Sequence, residues 1–198
     1  MLWTRRELIG SGAVSAAILG AALAPPEAIA DDPLAGAHGD TDALTRLIEI
    51  EQLIEFAYAY VLRSARVSQA TARVLADFLS HERAHVRILS SALAHRGAAT
   101  PTPPTDVKVA SGQLAKLGAG GSLRDSRGDK VSVRYLIGVE TIAEGAYYSA
   151  MSKLSSATLL GLAARIMSCE AQHWTALSGL AHAGDVFTAV PYPTVTGE

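Results

Sequence analysis

Cysteine is almost missing from this chain. Cys169 is the only one in 198 residues, so no intramolecular disulfide, thiolate zinc site or iron–sulfur cluster is expected within one chain. A surplus of either charge is missing too. Lys and Arg number 17 against 19 Asp and Glu, a formal net charge of −2, which removes the electrostatic reason to expect nucleic acid as a partner. No β-type alternation of useful length is present, so strands are not expected. The apolar stretch at residues 8–24 is diluted by Gly10, Ser11, Gly12 and Ser15, which makes it short and weak for a bilayer-spanning helix. What remains is a chain of 49% apolar and 18% charged residues. That composition folds rather than staying disordered, and the length suits one domain with a sizeable core.

Residues 1–30 have a positive start, an apolar middle and a small-residue end at Ala28-Ile29-Ala30, the order of an export signal. Thr4-Arg5-Arg6-Glu7-Leu8-Ile9 resembles the twin-arginine signal. The resemblance implies the twin-arginine machinery as a partner, export of an already folded protein, and a location in the periplasm, the cell envelope or outside the cell. Cleavage after Ala30 is expected, with an uncleaved membrane anchor as the alternative. No cysteine follows the stretch, which excludes a lipoprotein anchor. Contact with the membrane is expected only through this segment.

The rest reads as an all-α domain over residues 41–183, between a polar lead-in at 31–40 and an irregular tail at 184–198 with Pro191 and Pro193. Asp40 and Thr41 are positioned to cap a first helix that runs to about residue 65, with Leu44, Leu47, Ile48, Ile54, Tyr58, Val61 and Leu62 at helical spacing. Ser68 is a cap for a second helix to about residue 95, and Gly97 stands just past its end. Pro101, Pro103, Pro104, Gly118, Gly120 and Gly121 break the following segment, with room for a short helix near 108–117. Third and fourth helices are predicted at about 131–154 and 156–183. Two tight hairpins joined by one long connection give an antiparallel four-helix bundle, with the long crossover between the second and third helices.

The core-facing stripes carry charges. Leu75, Phe78, Glu82, His85, Leu89 and Ala92 step by three or four along one face of the second helix; Ala163, Ile166, Glu170, His173, Leu177 and Leu180 do so on the fourth. Each stripe thus has Glu-x-x-His at its middle. The first and third helices match as well: Glu51, Glu55 and Tyr58 are spaced as Glu140, Glu144 and Tyr147. Glu51 to Glu82 is 31 residues and Glu140 to Glu170 is 30, so the chain is a degenerate repeat of one hairpin. At about 1.5 Å per residue, 15 residues up and 15 back restore the same height, which puts four glutamates at one level. An unpaired carboxylate in an apolar interior costs several kcal/mol, and four together cannot all stay ionised. Either protons or cations must be shared among them. Four carboxylates balance two divalent ions, and oxygen donors with two imidazoles suit iron or manganese better than copper.

This pattern resembles the ferritin-like superfamily of di-iron and di-manganese carboxylate proteins, in which two helices give a Glu each and two give Glu-x-x-His. The resemblance covers about residues 41–183. It implies Glu51 and Glu140 as terminal ligands, Glu82 and Glu170 as bridges, and His85 and His173 one on each metal, with two iron ions or, alternatively, manganese. Tyr58 matches a tyrosine that often follows the first-helix ligand, with a redox or supporting role. Glu55 and Glu144 are possible additional ligands, or supporting and solvated residues. Cys169 is read as an inert packed thiol, His81 as a surface residue, Trp174 as packing, and Arg83 with Arg87 as a solvated face. Three activities follow from the resemblance: oxidation of Fe(II) by O2 or peroxide, a manganese catalase or peroxidase cycle, or an exported stress or binding module with structural or no metal. The Cys-x-x-Cys tail of rubrerythrins is absent. A homodimer is left open.

Overall fold

A computed structural model describes residues 33–183, with side chains from Gly39 onward. The export signal and the tail at 184–198 lie outside the described residues. The elements are α1 (Pro33–Ser64), α2 (Gln69–Ala94), α3 (Val107–Lys116), a 3-10 turn at Leu123–Asp125, α4 (Gly128–Met151) and α5 (Ala157–Ala181). No strand occurs among the described residues, and no described helix is long and apolar enough to cross a membrane.

Local chemistry explains most helix ends. The Ser68 hydroxyl accepts from the Thr71 N–H and starts α2; the Asp106 carboxylate accepts from Lys108 and Val109 and starts α3; Ser156 accepts from Leu159 and starts α5. Past the end of α2, Gly97 takes φ +76°, and the N–H groups of Gly97 and Ala98 return to the carbonyls of Ala94 and Leu93. The chain can turn this way because glycine has no Cβ to clash.

The start of α1 differs from the expected one. The helix already runs at Pro33, so residues 33–39, read as a lead-in, and His38 with them, are helical. Proline suits a first helical position, where its missing N–H has no partner to lose. Asp40 is not a cap. Its buried carboxylate accepts from the Arg96 guanidinium at 2.7 Å and the Ser155 N–H at 2.7 Å. It therefore ties the start of α1 to the ends of α2 and α4. At the opposite end the Gly128 N–H donates to the Ala65 carbonyl at 2.6 Å, and Asp129 accepts from the Ser68 N–H at 2.6 Å. α1 is thus antiparallel to α2 and to α4, so α2 and α4 run parallel and the crossover returns the chain along the length of the bundle. The third long helix begins and ends about a turn earlier than expected.

The crossover is welded to the bundle. Ala110, Leu114, Ala119 and Leu123 are buried in the same cluster as Ile54, Ala57 and Val61 of α1, and the Gln52 side chain donates to the Pro101 carbonyl at 2.8 Å. The core falls into two apolar clusters. One gathers Ile54, Tyr58, Leu75, Leu79, Leu136 and Leu177; the other gathers Leu44, Ile48, Leu89, Tyr147, Ala163 and Ile166. Along α1, Glu51 falls between Ile48 and Ile54; along α2, Glu82 falls between Leu79 and Leu89; along α5, Glu170 falls between Ile166 and Leu177. A polar layer separates the halves. Leu180, read as the last stripe residue of α5, is 40% exposed, while Ser178 is buried in its place.

Candidate metal centre

Periodicity turns each of the six charged stripe residues inward, and the packing of α1, α2, α4 and α5 brings them together. Glu51, Glu82, Glu140 and Glu170 are fully buried, His173 is 1% exposed and His85 9%. They form two groups. Glu51, Glu82, His85 and Glu170 have donor atoms within 4.8 Å of one another, and so do Glu82, Glu140, Glu170 and His173. Glu82 and Glu170 belong to both.

The shared carboxylates divide their oxygens. His85 Nδ1 lies 2.8 Å from Glu170 Oε1, 3.5 Å from Glu82 Oε2 and 3.6 Å from Glu51 Oε2. His173 Nδ1 lies 3.0 Å from Glu82 Oε1, 3.3 Å from Glu170 Oε2 and 3.6 Å from Glu140 Oε1. One oxygen of each central glutamate therefore faces each group. These contacts resemble the edges of an octahedral shell, where bonds of about 2.1 Å place neighbouring ligand atoms about 3 Å apart. Short as they are, they lack hydrogen-bond geometry. Both oxygens of Glu82 and Glu170, one each of Glu51 and Glu140, and both Nδ1 atoms have no hydrogen-bond partner among the described residues. Buried atoms of this kind are costly unless a cation meets their lone pairs, so the residues fit a pair of metal ions.

One oxygen of each flanking glutamate is held by a tyrosine. The Tyr58 hydroxyl donates to Glu140 Oε1 and the Tyr147 hydroxyl to Glu51 Oε1. Each tyrosine reaches from its own helix to the opposite glutamate, one from each apolar cluster. Tyr58 thus supports a candidate ligand through the Glu140 oxygen that lies 3.6 Å from His173 Nδ1. Burial raises both phenols well above their usual range, with Glu140 and Glu51 adding to the effect.

In the protein without cations, protons serve as the counter-charge. Burial, then Glu170, raises Glu51 well above the ordinary carboxylate range, and burial raises Glu140 in the same way. Glu170 goes the other way: burial would raise it, but His173 and His85 bring it down to about 2. Burial would lower the two histidines, yet contacts with Cys169 and the surrounding carboxylates raise both strongly.

Glu55 and Glu144, equivalent in the repeat, part company in the fold. Glu55 is half-buried and accepts from Arg83 Nε at 3.2 Å, away from the inner groups. Glu144 is buried, and burial followed by Glu170 raises its carboxyl; neither residue belongs to the two groups. Trp174 packs half-buried and donates to Thr141 at 3.2 Å.

Two residues read as bystanders lie against the cluster. His81 is exposed as expected, but its Nδ1 stands 2.9 Å from His173 Nε2. Cys169 is half-buried, with Sγ 3.5 Å from the same nitrogen. Contacts with His173 and His85 lower its thiol to about 7 in spite of burial. The cysteine therefore borders the inner groups through His173 rather than packing apart from them. Both residues immediately precede a central glutamate, and the pattern Glu82/Glu170 could have flagged them as a matched pair.

A family model described as a ferritin-like domain matches residues 39–183. The crystal structure of a conserved hypothetical protein from Mycobacterium tuberculosis superposes with a TM-score of 0.60 at 16% identity, covering 79% of this chain and 99% of that one. At that identity the likeness concerns the fold alone. None of the curated proteins matches the sequence.

Proposed function

The chain belongs to the ferritin-like domain family, and on that premise we propose that it holds two metal ions, iron first of all, and binds and oxidises Fe(II) with O2 or peroxide. The observation that carries this reading is the division of Glu82 and Glu170, each of which offers one unpartnered oxygen to either group. Glu51, Glu82, His85 and Glu170 would hold one ion; Glu82, Glu140, Glu170 and His173 would hold the other. Bound iron would supply one-electron chemistry toward a two-electron acceptor.

The chain's own residues do the rest. Four carboxylates offset the charge of two divalent ions and favour the more highly charged oxidised state. Tyr58 and Tyr147 fix the glutamates that each belong to one group only. The apolar clusters on both sides keep bulk water from competing for the same oxygens. Export by the twin-arginine route, suggested by residues 4–9, would deliver the folded protein across a membrane.

Metal analysis of protein purified without supplementation, followed by Fe(II) and air, tests the reading. Two irons per chain and a growing near-ultraviolet ferric absorbance are expected. Glu82→Ala with His85→Ala should abolish both. Full Fe(II) oxidation in that folded double variant refutes the assignment, and two manganese ions with rapid O2 release from peroxide would transfer the site to manganese chemistry.

A further inference from the structure

His173 has two ring nitrogens, and the inner groups account for only one. Its Nδ1 faces the carboxylates, whereas Nε2 faces outward at the seam between α2 and α5, where His81 and Cys169 meet it. We propose that His81, Cys169 and His173 form a separate metal site that takes one borderline-soft divalent cation of the zinc class.

The geometry is that of a partial tetrahedron. A zinc ion with bonds of about 2.0–2.1 Å to nitrogen and about 2.3 Å to sulfur sets N···N edges of about 3.3 Å and N···S edges of about 3.6 Å. The three edges are 2.9 Å for His81 Nδ1 to His173 Nε2, 3.5 Å for Cys169 Sγ to His173 Nε2, and 3.9 Å for Cys169 Sγ to His81 Nδ1. An ion therefore fits between the three after adjustments of a few tenths of an ångström. The His173 ring is already held, stacked on Phe78 with centroids 4.1 Å apart, and His81 is exposed, which leaves a fourth position to water. The donor set contains sulfur and imidazole and no carboxylate, so it selects a softer ion than the oxygen-rich interior. Cysteine counting excluded a thiolate zinc site because the two imidazoles that complete it lie 88 and 4 residues from Cys169 along the chain, and only folding joins all three.

Binding to the outer site releases the Cys169 thiol proton to solvent, and the sulfur lone pair goes to the ion. With the interior metal-free, an outer ion displaces the Nε2 proton of His173 to solvent and leaves the other on Nδ1, 3.0 Å from Glu82 Oε1. With an inner ion on Nδ1, an outer ion would require the fully deprotonated ring. The two sites therefore oppose each other through one side chain, and a zinc-class ion bound outside weakens metal binding in the group of His173 while leaving that of His85 intact.

Cobalt(II) titration of the metal-free full chain tests the site. A near-ultraviolet thiolate-to-cobalt band should saturate at one ion per chain, yield to added Zn(II), persist in the isosteric pair Glu51→Gln and Glu140→Gln, and vanish in Cys169→Ser. Zn(II) should also slow alkylation of Cys169 by iodoacetamide in the unaltered chain and fail to do so in His81→Ala. Absence of the band from the folded protein, its survival in Cys169→Ser, or unprotected alkylation would overturn the proposal. None of these outcomes depends on iron oxidation, so the outer and inner sites fail independently.

Discussion

At the scale of single residues, the central glutamates are tolerable only with positive partners, and protons and metal ions compete for that role. Folded metal-free protein keeps protons on Glu51, Glu140, His85 and His173 that the unfolded chain releases above its ordinary values of 4.5 and 6.5. A folded state with more bound protons loses stability as pH rises. Urea midpoints of metal-free protein should therefore fall from about pH 4.5 upward and more steeply above about pH 6.5, and saturating metal should remove the slope. Glu170, lowered to about 2, contributes the opposite slope only in acid. Metal uptake should release protons and weaken as pH falls, which a pH-stat titration reads directly. Tyr58→Phe and Tyr147→Phe should each strand a buried oxygen, costing about 1–3 kcal/mol in metal-free protein and about tenfold in metal affinity. The six inner residues were legible because carboxylates on an apolar stripe contradict their surroundings. His81 and Cys169 were not: helical periodicity puts them one residue off the stripe, and it does not reveal that α2 and α5 are neighbours.

At the scale of elements, the cap at Ser68 made the start of α2 readable, and the structure adds caps of the same kind at the starts of α3 and α5. Ser68, Asp106 and Ser156 each satisfy their own helix locally, and local chemistry is what a sequence displays. Asp40 misled because the same carboxylate serves a backbone cap or a distant guanidinium equally well, and here Arg96 and the Ser155 N–H take it. Leu180 misled for a geometric reason. At about 100° per residue it lies near the edge of the stripe after Leu177, so a step of three no longer reaches the core. Gly97→Ala, at φ +76°, should cost about 1–2 kcal/mol by thermal unfolding without changing metal stoichiometry. The residue lies outside both ligand groups.

At the scale of the molecule, the polar layer divides one core into two. A groove of about 750 Å³ beside Ala43, Ile50, Gly138 and Ala146 follows the α1–α4 face and has none of the six inner residues in its lining. On the proposed reading, removal of metal would leave only protons to offset the inner carboxylates while both apolar clusters stay packed. Chelation should therefore lower the melting temperature without erasing helical circular dichroism. Restoring metal to about 100 times its dissociation constant should return about 2.7 kcal/mol. A chain whose melting temperature ignores both chelator and added metal would contradict this account.

The exchange of carboxylates across the layer has a further consequence. The hairpin of α1 and α2 owns Glu51, Glu82 and His85 of one group and lends Glu82 to the other, while the hairpin of α4 and α5 does the same with Glu140, Glu170 and His173. Each half is thus one vote short of a complete shell and finds the missing vote in its twin. Cut between Gly120 and Gly121, the two pieces should reassociate more tightly when metal is supplied. The crossover would then keep its packing against α1 and, uncut, also raise the effective concentration of one half around the other.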